Sequence, residues 1–416
     1  MYVVNLGTYP PKLCGIATFS KDLRDNLDRT GVGVRIAAVS DTEYTYDYPA
    51  EVACEIRQEI RQDYAKAARQ INRSAEADLV IIQHEYGIFG GADGAYVLDF
   101  TNSLEKPYMM VAHTILPNPT RNQKEILNHV AEKAAVVICM TKRSARLLED
   151  VYDVPPEKIR IVYHGVPVFQ AKDREQLKQR YGYAGRQIIT TFGLIGPGKG
   201  LEIGIRALQD VVARHPDVLY LIAGKTHPML LRREGERYRE MLNGLISDLN
   251  LGDHVKFINH FMEHEELGDY LYMTDIYLSP YPNRDQAVSG TLAFAIGCGR
   301  AIVSTPYEYA LAMLAEEQRG LIAADATPEN IAILLDRVLS NPVLKAHLER
   351  KTARLGKTTS WPYVAGQYAN LATRIVSKFH IMTEVGSTGP TRVSSLEVRA
   401  SNIERTSVSA RGGMQL

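Results

Sequence analysis

Gln187-Ile188-Ile189-Thr190-Thr191-Phe192-Gly193-Leu194-Ile195-Gly196-Pro197-Gly198-Lys199-Gly200-Leu201-Glu202-Ile203-Gly204-Ile205-Arg206-Ala207-Leu208 decides the fold class. A short β-branched run stops at a glycine, crosses a loop of glycines with one proline and one lysine, and resumes with Leu201, Ile205, Leu208 and Val212 at helical spacing. This is a strand, a tight loop and an amphipathic helix, the first half of a β-α-β unit. The same alternation runs through the chain. Strands are expected at 187–193, 218–223, 254–258, 275–279, 300–304 and 320–323. An earlier series is expected at 2–6, 33–39, 79–84, 107–112, 135–140 and 158–163, with Ile16, Phe19, Leu23 and Leu27 marking its first helix face. Strands that alternate with helices imply parallel sheets covered on both sides. The fold class is therefore α/β, with two Rossmann-like doubly wound domains. The expected division is 1–165 and 166–378, joined at the Gly- and Pro-containing stretch Tyr163 to Asp173, with a mostly disordered tail at 379–416. The tail follows from residues 386–416, which hold six Ser, three Thr and four Arg and no aromatic residue, too little apolar surface to offset chain entropy.

Composition bounds the function. The 416 residues are 45% apolar and 23% charged, ordinary for a globular chain of two or three domains. Forty-eight basic and 48 acidic residues balance, which argues against a general electrostatic grip on nucleic acid. Cys14, Cys54, Cys139 and Cys298 form no Cys-x-x-Cys pair and are read as reduced and cytosolic. No apolar run approaches the roughly 18–20 residues of a membrane span. Met1 to Leu6 lacks a basic start and reads as a strand rather than a signal peptide.

Ligands in doubly wound sheets bind beyond the carboxyl ends of the strands, so the loops after strands are the places to search. Gly7 to Ile16, with Gly15 at a helix start, suits an anion. Gly193 to Gly200 offers backbone donors and Lys199 to a diphosphate, but is neither a Walker A loop nor a Gly-x-Gly-x-x-Gly fingerprint. His84, Glu85 and Tyr86 cluster at one strand end and His113 at another, a grouping suited to sugar or acid–base contacts. In Ser279 to Thr291, Arg284 and Asp285 are aimed at the crevice, and Ser289, Gly290 and Thr291 supply donors at a helix start. For each loop the competing reading is a plain structural turn.

Taken together, these features resemble the retaining glycosyltransferases of family 4, which have the GT-B fold. The resemblance covers about residues 1–378. It rests on the Pro-Pro-x-x-x-Gly loop ending at Gly15, on His113, on the Gly193 to Gly200 loop with Lys199, and on Ala295 to Ser304. Trp361 to Tyr368 looks like the closing helix that crosses back toward the first domain. The resemblance implies transfer of a sugar from a nucleotide-diphosphate sugar to a saccharide or other hydroxyl acceptor, with mannose as the donor sugar. It implies no cofactor beyond that co-substrate, no metal and no nucleic acid. It places the protein in the cytoplasm, with peripheral contact at the inner membrane face left open. His113, Lys199 and Gln286 would be catalytic. Gly15, Gly193, Gly196, Lys199, Arg284, Asp285, Ser289, Gly290 and Thr291 would hold the donor. His84, Glu85, Tyr86 and His164 would hold the acceptor. One departure stands out: the family's Glu-x7-Glu pair falls on Gln286 and Phe294. Phe294 cannot bond ribose hydroxyls, and Arg284 and Asp285 are the expected substitutes. Two rival readings are a catalytically inactive sugar- or nucleotide-binding protein, and another GT-B activity such as an epimerase, with Glu85 as its carboxylate, or a phosphorylase.

Overall fold

The computed structural model describes residues 1–286 and 288–387, so the tail expected from about 379 lies outside the described residues from 388 onward. Runs of Val, Ile, Leu and Ala become strands buried on both faces, as parallel sheets require. The first sheet contains β1 (Tyr2–Gly7), β2 (Gly33–Ser40), β3 (Val52–Arg57), β4 (Ala77–His84), β5 (Tyr108–Ala112), β6 (Val136–Cys139) and β7 (Ile159–Ile161). The second contains β8 (Gln187–Phe192), β9 (Val218–Ala223), β10 (Val255–Ile258), β11 (Ile276–Ser279), β12 (Ala301–Ser304) and β13 (Leu321–Ile322). Their orders are β3-β2-β1-β4-β5-β6-β7 and β10-β9-β8-β11-β12-β13, with the pairings between them parallel. Val3 pairs with Val34 and Val4 with Val80, so β1 is central. In both sheets the order reverses beside the first strand of the series, between β1 and β4 and between β8 and β11. Those two reversals are the crevices where a doubly wound sheet accepts ligand.

β3 is a correction to the sequence reading, which had no strand there. In Val52–Arg57 only Ile56 is fully buried, and the strand sits at the sheet edge, paired on one side with β2. An edge strand with alternating exposure carries a weaker apolar signal than the central runs.

Met1–Val376 form one unit holding both sheets. The stretch after β7 is pinned rather than loose. The Val166 N–H donates to the Thr359 carbonyl at 2.8 Å, and the Trp361 N–H to the Val166 carbonyl at 2.9 Å. The helix Trp361–Ser387 starts there. Its Trp361, Val364, Ala365, Tyr368 and Ala372 join Val3, Phe19 and Leu23 in one buried cluster, so it completes the core of the first sheet.

Trp361 also donates its indole N–H to the Asp22 carboxylate at 3.2 Å. Burial is the largest influence on Asp22, and it outweighs Lys21 and this hydrogen bond to push the carboxyl up to about 6. A folded-state value above the unfolded one means the native state holds the proton more tightly. Stability from this group is present in full below about pH 4 and is lost as pH rises toward 6. Asp22→Asn keeps an oxygen acceptor for the indole and removes the charge. It is expected to raise the melting temperature above pH 6, with the gain vanishing below pH 4. The two-unit displacement sets a ceiling of about 3 kcal/mol. A melting curve of the variant that tracks the parent at every pH from 4 to 8 contradicts this.

Candidate active site

Three polar side chains from adjacent strands build the first half of the site. Gln83 of β4 donates from its amide nitrogen to Asn5 Oδ1 of β1 at 2.7 Å, and its Oε1 lies 2.8 Å from His113 Nε2. The Gln83 oxygen only accepts, so His113 carries its proton on Nε2 and leaves Nδ1 as a lone-pair acceptor. Burial, with smaller contributions from His164 and His84, lowers the His113 pKa to about 3. Burial likewise lowers His84 and His164 to about 4. All three imidazoles are neutral at physiological pH, fit to accept hydrogen bonds from hydroxyls and unable to act as standing cations. His164 donates from Nδ1 to the Gly165 carbonyl at 2.7 Å, and its Nε2 would lie 3.5 Å from a Cβ on Gly290. The Phe19 ring meets both His113 and His164 edge-on, at 4.9 and 5.2 Å.

The other first-domain candidates stand beside this trio. Glu85 accepts a hydrogen bond from Thr114 Oγ1 at 2.5 Å. Burial raises its pKa against the opposing pull of Thr114 and the N–H groups of Tyr86 and Gly87. The Tyr86 ring stands edge-on to His84 at 5.0 Å. Gly15 opens the helix Gly15–Asp28, is exposed, and a Cβ there would meet nothing within 4 Å. Before it, Cys14 caps the helix through its sulfur, and Lys12 pairs with Asp41 at 2.9 Å.

The second half is built by the loops after β8 and β11. Gly200 closes the first loop at φ 59°, and a Cβ there would lie 2.2 Å from the Pro280 carbonyl oxygen, so only glycine fits. That approach brings Lys199 onto Tyr281: Nζ donates to the phenol at 2.5 Å and lies 4.5 Å from the ring centre. The Tyr281 hydroxyl also shares a hydrogen bond with Thr291 Oγ1 at 2.7 Å. Thr291 Oγ1 lies 3.3 Å from Ser289 Oγ, which caps the helix Gly290–Gly297 through the Leu292 N–H. Burial alone would raise the Tyr281 pKa, but the Lys199 charge and the hydrogen bonds of Lys199, Thr291 and Ser289 hold it below the ordinary phenol value. Gly193 belongs here too, since a Cβ on it would meet Thr291 at 3.1 Å and Lys199 Nζ at 3.3 Å. Gly196 lies against Leu230, where a Cβ would stand 3.5 Å from its Cδ2. Lys199, Gly193, Ser289, Gly290 and Thr291 thus gather at one helix start, and Tyr281 is the residue that sequence reasoning gave no role. Its signal was its place directly after β11, in the same loop.

The remaining three candidates are arranged differently. Gln286 turns its amide back on its own loop, donating to the Val288 carbonyl at 2.9 Å. Arg284 and Asp285 are exposed, and the loop is held from outside by the Glu308 N–H on the Arg284 carbonyl and the Tyr309 N–H on the Gln286 carbonyl. Phe294 is half-buried against Phe169 and Phe192, with ring centres 6.4 and 6.1 Å apart, so the aromatic core takes up the position. The two halves meet through Val288, which packs against the cluster containing Phe19 and Trp361, and through ion pairs of Lys142 with Glu316 and of Arg143 with Glu308.

The description "Glycosyl transferases group 1" matches residues 173–355, and "Glycosyltransferase Family 4" matches residues 14–168. An alpha-D-kanosaminyltransferase of Streptomyces kanamyceticus is 25% identical over 232 residues, covering 55% of this chain and 57% of that protein. A D-inositol 3-phosphate glycosyltransferase of Nocardioides is 24% identical over 259 residues, covering 59% and 55%. The chain thus spans a little over half the length of these curated relatives. A GDP-mannose-dependent phosphatidylinositol monomannoside mannosyltransferase of Mycolicibacterium smegmatis is 31% identical over 111 residues, 27% of this chain and 26% of that protein. Among solved structures, sucrose-phosphate synthase of Thermosynechococcus elongatus superposes with a TM-score of 0.74 at 15% identity, covering 91% of this chain and all of that one. Anabaena HepE, solved with UDP, superposes at 0.72 and 15% identity, covering 90% of this chain and all of that one. With a matched description on each sheet-bearing half and the whole architecture shared with these structures, the chain belongs to the family 4-like glycosyltransferases of the GT-B fold.

Proposed function

We propose that the protein transfers a hexose from a nucleotide-diphosphate sugar to a saccharide hydroxyl with retention of configuration. The observation that carries this reading is the cluster of Lys199, Tyr281, Thr291 and Ser289 at the start of the helix Gly290–Gly297, across from the neutral His113 and His164. A diphosphate leaving group gains one negative charge as the sugar bond breaks. One ammonium and the free N–H groups of a helix start are the donors that stabilise it. In our reading the lone pair on His113 Nδ1 accepts from a hydroxyl of the transferred sugar. The departing phosphate takes the acceptor proton on the same face, so no protein base is required. The donor sugar we propose is mannose. The Mycolicibacterium relative supports it, whereas the Anabaena structure holds UDP.

A thermal-shift panel with GDP, UDP, ADP and their sugar conjugates tests the reading, because a ligand that binds only the native state raises its melting temperature. Protection by GDP and GDP-mannose above the others is expected. Protection by UDP and UDP-glucose instead replaces mannose and keeps the transferase. Arg284→Ala is expected to weaken nucleotide binding about two- to fivefold, since an exposed charge contact is worth up to about 1 kcal/mol. Unchanged affinity removes Arg284 from the donor site.

The packing of Phe294 into the aromatic core favours a second reading, a binding protein without turnover. Nucleotide-sugar protection with neither hydrolysis nor transfer would select it.

A further inference from the structure

Between β2 and β3 the chain runs through Asp41-Thr42-Glu43-Tyr44-Thr45-Tyr46-Asp47-Tyr48. Tyrosines at every second position put three rings in line. The centres of Tyr44 and Tyr46 are 6.3 Å apart and those of Tyr46 and Tyr48 5.5 Å, with successive planes tilted by 37° and 39°. The lower two are anchored by their hydroxyls. Tyr48 bonds Ser40 Oγ at 2.9 Å, and Tyr46 donates to Asp41 Oδ2 at 2.7 Å. The other oxygen of Asp41 holds Lys12 of the loop after β1. Tyr44 is 42% exposed and lies under the Arg232 guanidinium, 4.5 Å from ring centre to Cζ. Arg232 stands on the helix Pro228–Glu234, whose Leu230 borders Gly196 of the Lys199 loop. The row therefore runs from the donor-side loop of the second sheet to the carboxyl end of β2 in the first.

Rings whose hydroxyls are tied down present faces rather than hydrogen bonds. Tyr48 backs onto the core cluster of the first sheet, Tyr46 is half-buried beside it, and Tyr44 at the far end is open to solvent. A row of faces with a charged rim of Lys12, Asp41 and Arg232 matches a ligand that has apolar CH faces and polar edges, which is the surface of a sugar chain. We propose that Tyr44, Tyr46 and Tyr48 form a stacking row for the acceptor, and that the acceptor is an extended glycan of several sugars rather than a single ring. This rests on the transferase reading and deepens it, because a single-ring acceptor would cover one of the three rings and leave the others unused.

The test measures binding of manno- and malto-oligosaccharides of one to four units by saturation-transfer NMR and titration, with GDP and UDP protection recorded on the same samples. Affinity that climbs with length through three units in at least one series is expected, together with saturation transfer from tyrosine. Tyr44→Ala is expected to weaken the trisaccharide about tenfold, Tyr44→Trp to restore it, and nucleotide protection to stay as in the parent. The exposed ring makes misfolding of these variants a small concern, and the unchanged nucleotide response checks it. Equal affinity for one and three units overturns the proposal. So does failure of both series to bind while nucleotide still protects, which leaves the transferase reading intact. A Tyr44→Ala effect on nucleotide binding alone also overturns it and makes the Arg232 contact a domain-closing one. Loss of nucleotide protection in the parent protein counts against the transferase reading itself.

Discussion

Lys199→Ala is expected to reduce kcat by about 10²–10³-fold, the usual loss when one preorganised donor to a developing charge is removed. Three observations make the lysine this important. Gly200 at φ 59° fixes the loop so that the side chain is aimed inward. Tyr281 and Thr291 hold the ammonium against the start of the helix Gly290–Gly297. Gln286 and Phe294, where the family resemblance would put a glutamate pair, carry no charge. The loss is expected mainly in kcat, because the leaving group is more negative in the transition state than in the bound donor. Tyr281→Phe keeps the ring under the ammonium and removes only the hydroxyl link, so a smaller decrease is expected. Steady-state rates for both variants, with melting temperatures alongside, decide the matter. A Lys199→Ala protein that keeps its rate but melts early would reassign the lysine to holding Tyr281 in place.

Trp361→Ala is expected to destabilise the protein by about 3–5 kcal/mol, the range for deleting a buried large aromatic side chain. Trp361 is 2% exposed, and its ring lies 5.1 Å from Phe19 at 64°. Gly165 makes the seat, since a Cβ there would stand 2.2 Å from the indole. The loss is expected as a fall of about 10 °C in the first melting transition, with Trp361→Phe falling less. Gly165→Ala should resemble Trp361→Ala, because the methyl group and the indole compete for the same space. Differential scanning calorimetry checks all three. A parent-like transition for Trp361→Ala would mean that the terminal helix contributes little to the first sheet.

The strand–loop–helix alternation was legible because parallel strands buried on both faces leave unbroken β-branched runs, and helices leave their own spacing. Only β3 escaped, since an edge strand with one buried face reads like loop sequence. Loops after strands were legible as places, by the rule that doubly wound sheets bind at their carboxyl ends. Lys199, Ser289 and Thr291, which the structure brings together, were singled out as candidates from residue type and position alone. Tyr281 was not, although it lies in the same loop, because a tyrosine after a strand has no distinctive chemistry until a cation is placed on it.

Residue order by itself determined the two β-α series and the loops that border each crevice. Tertiary structure alone decided the protonation of His113, because its proton position depends on Gln83 and Asn5 from two other strands. It also decided that the Phe294 ring belongs to an aromatic core, that Gln286 serves its own loop, and that Trp361 lands on Gly165 across nearly two hundred residues of chain. The physical reason is range. Periodicity and turn chemistry act over a few residues and are written locally, whereas burial, tautomer and charge pairing depend on partners that only the folded chain brings within a few ångströms.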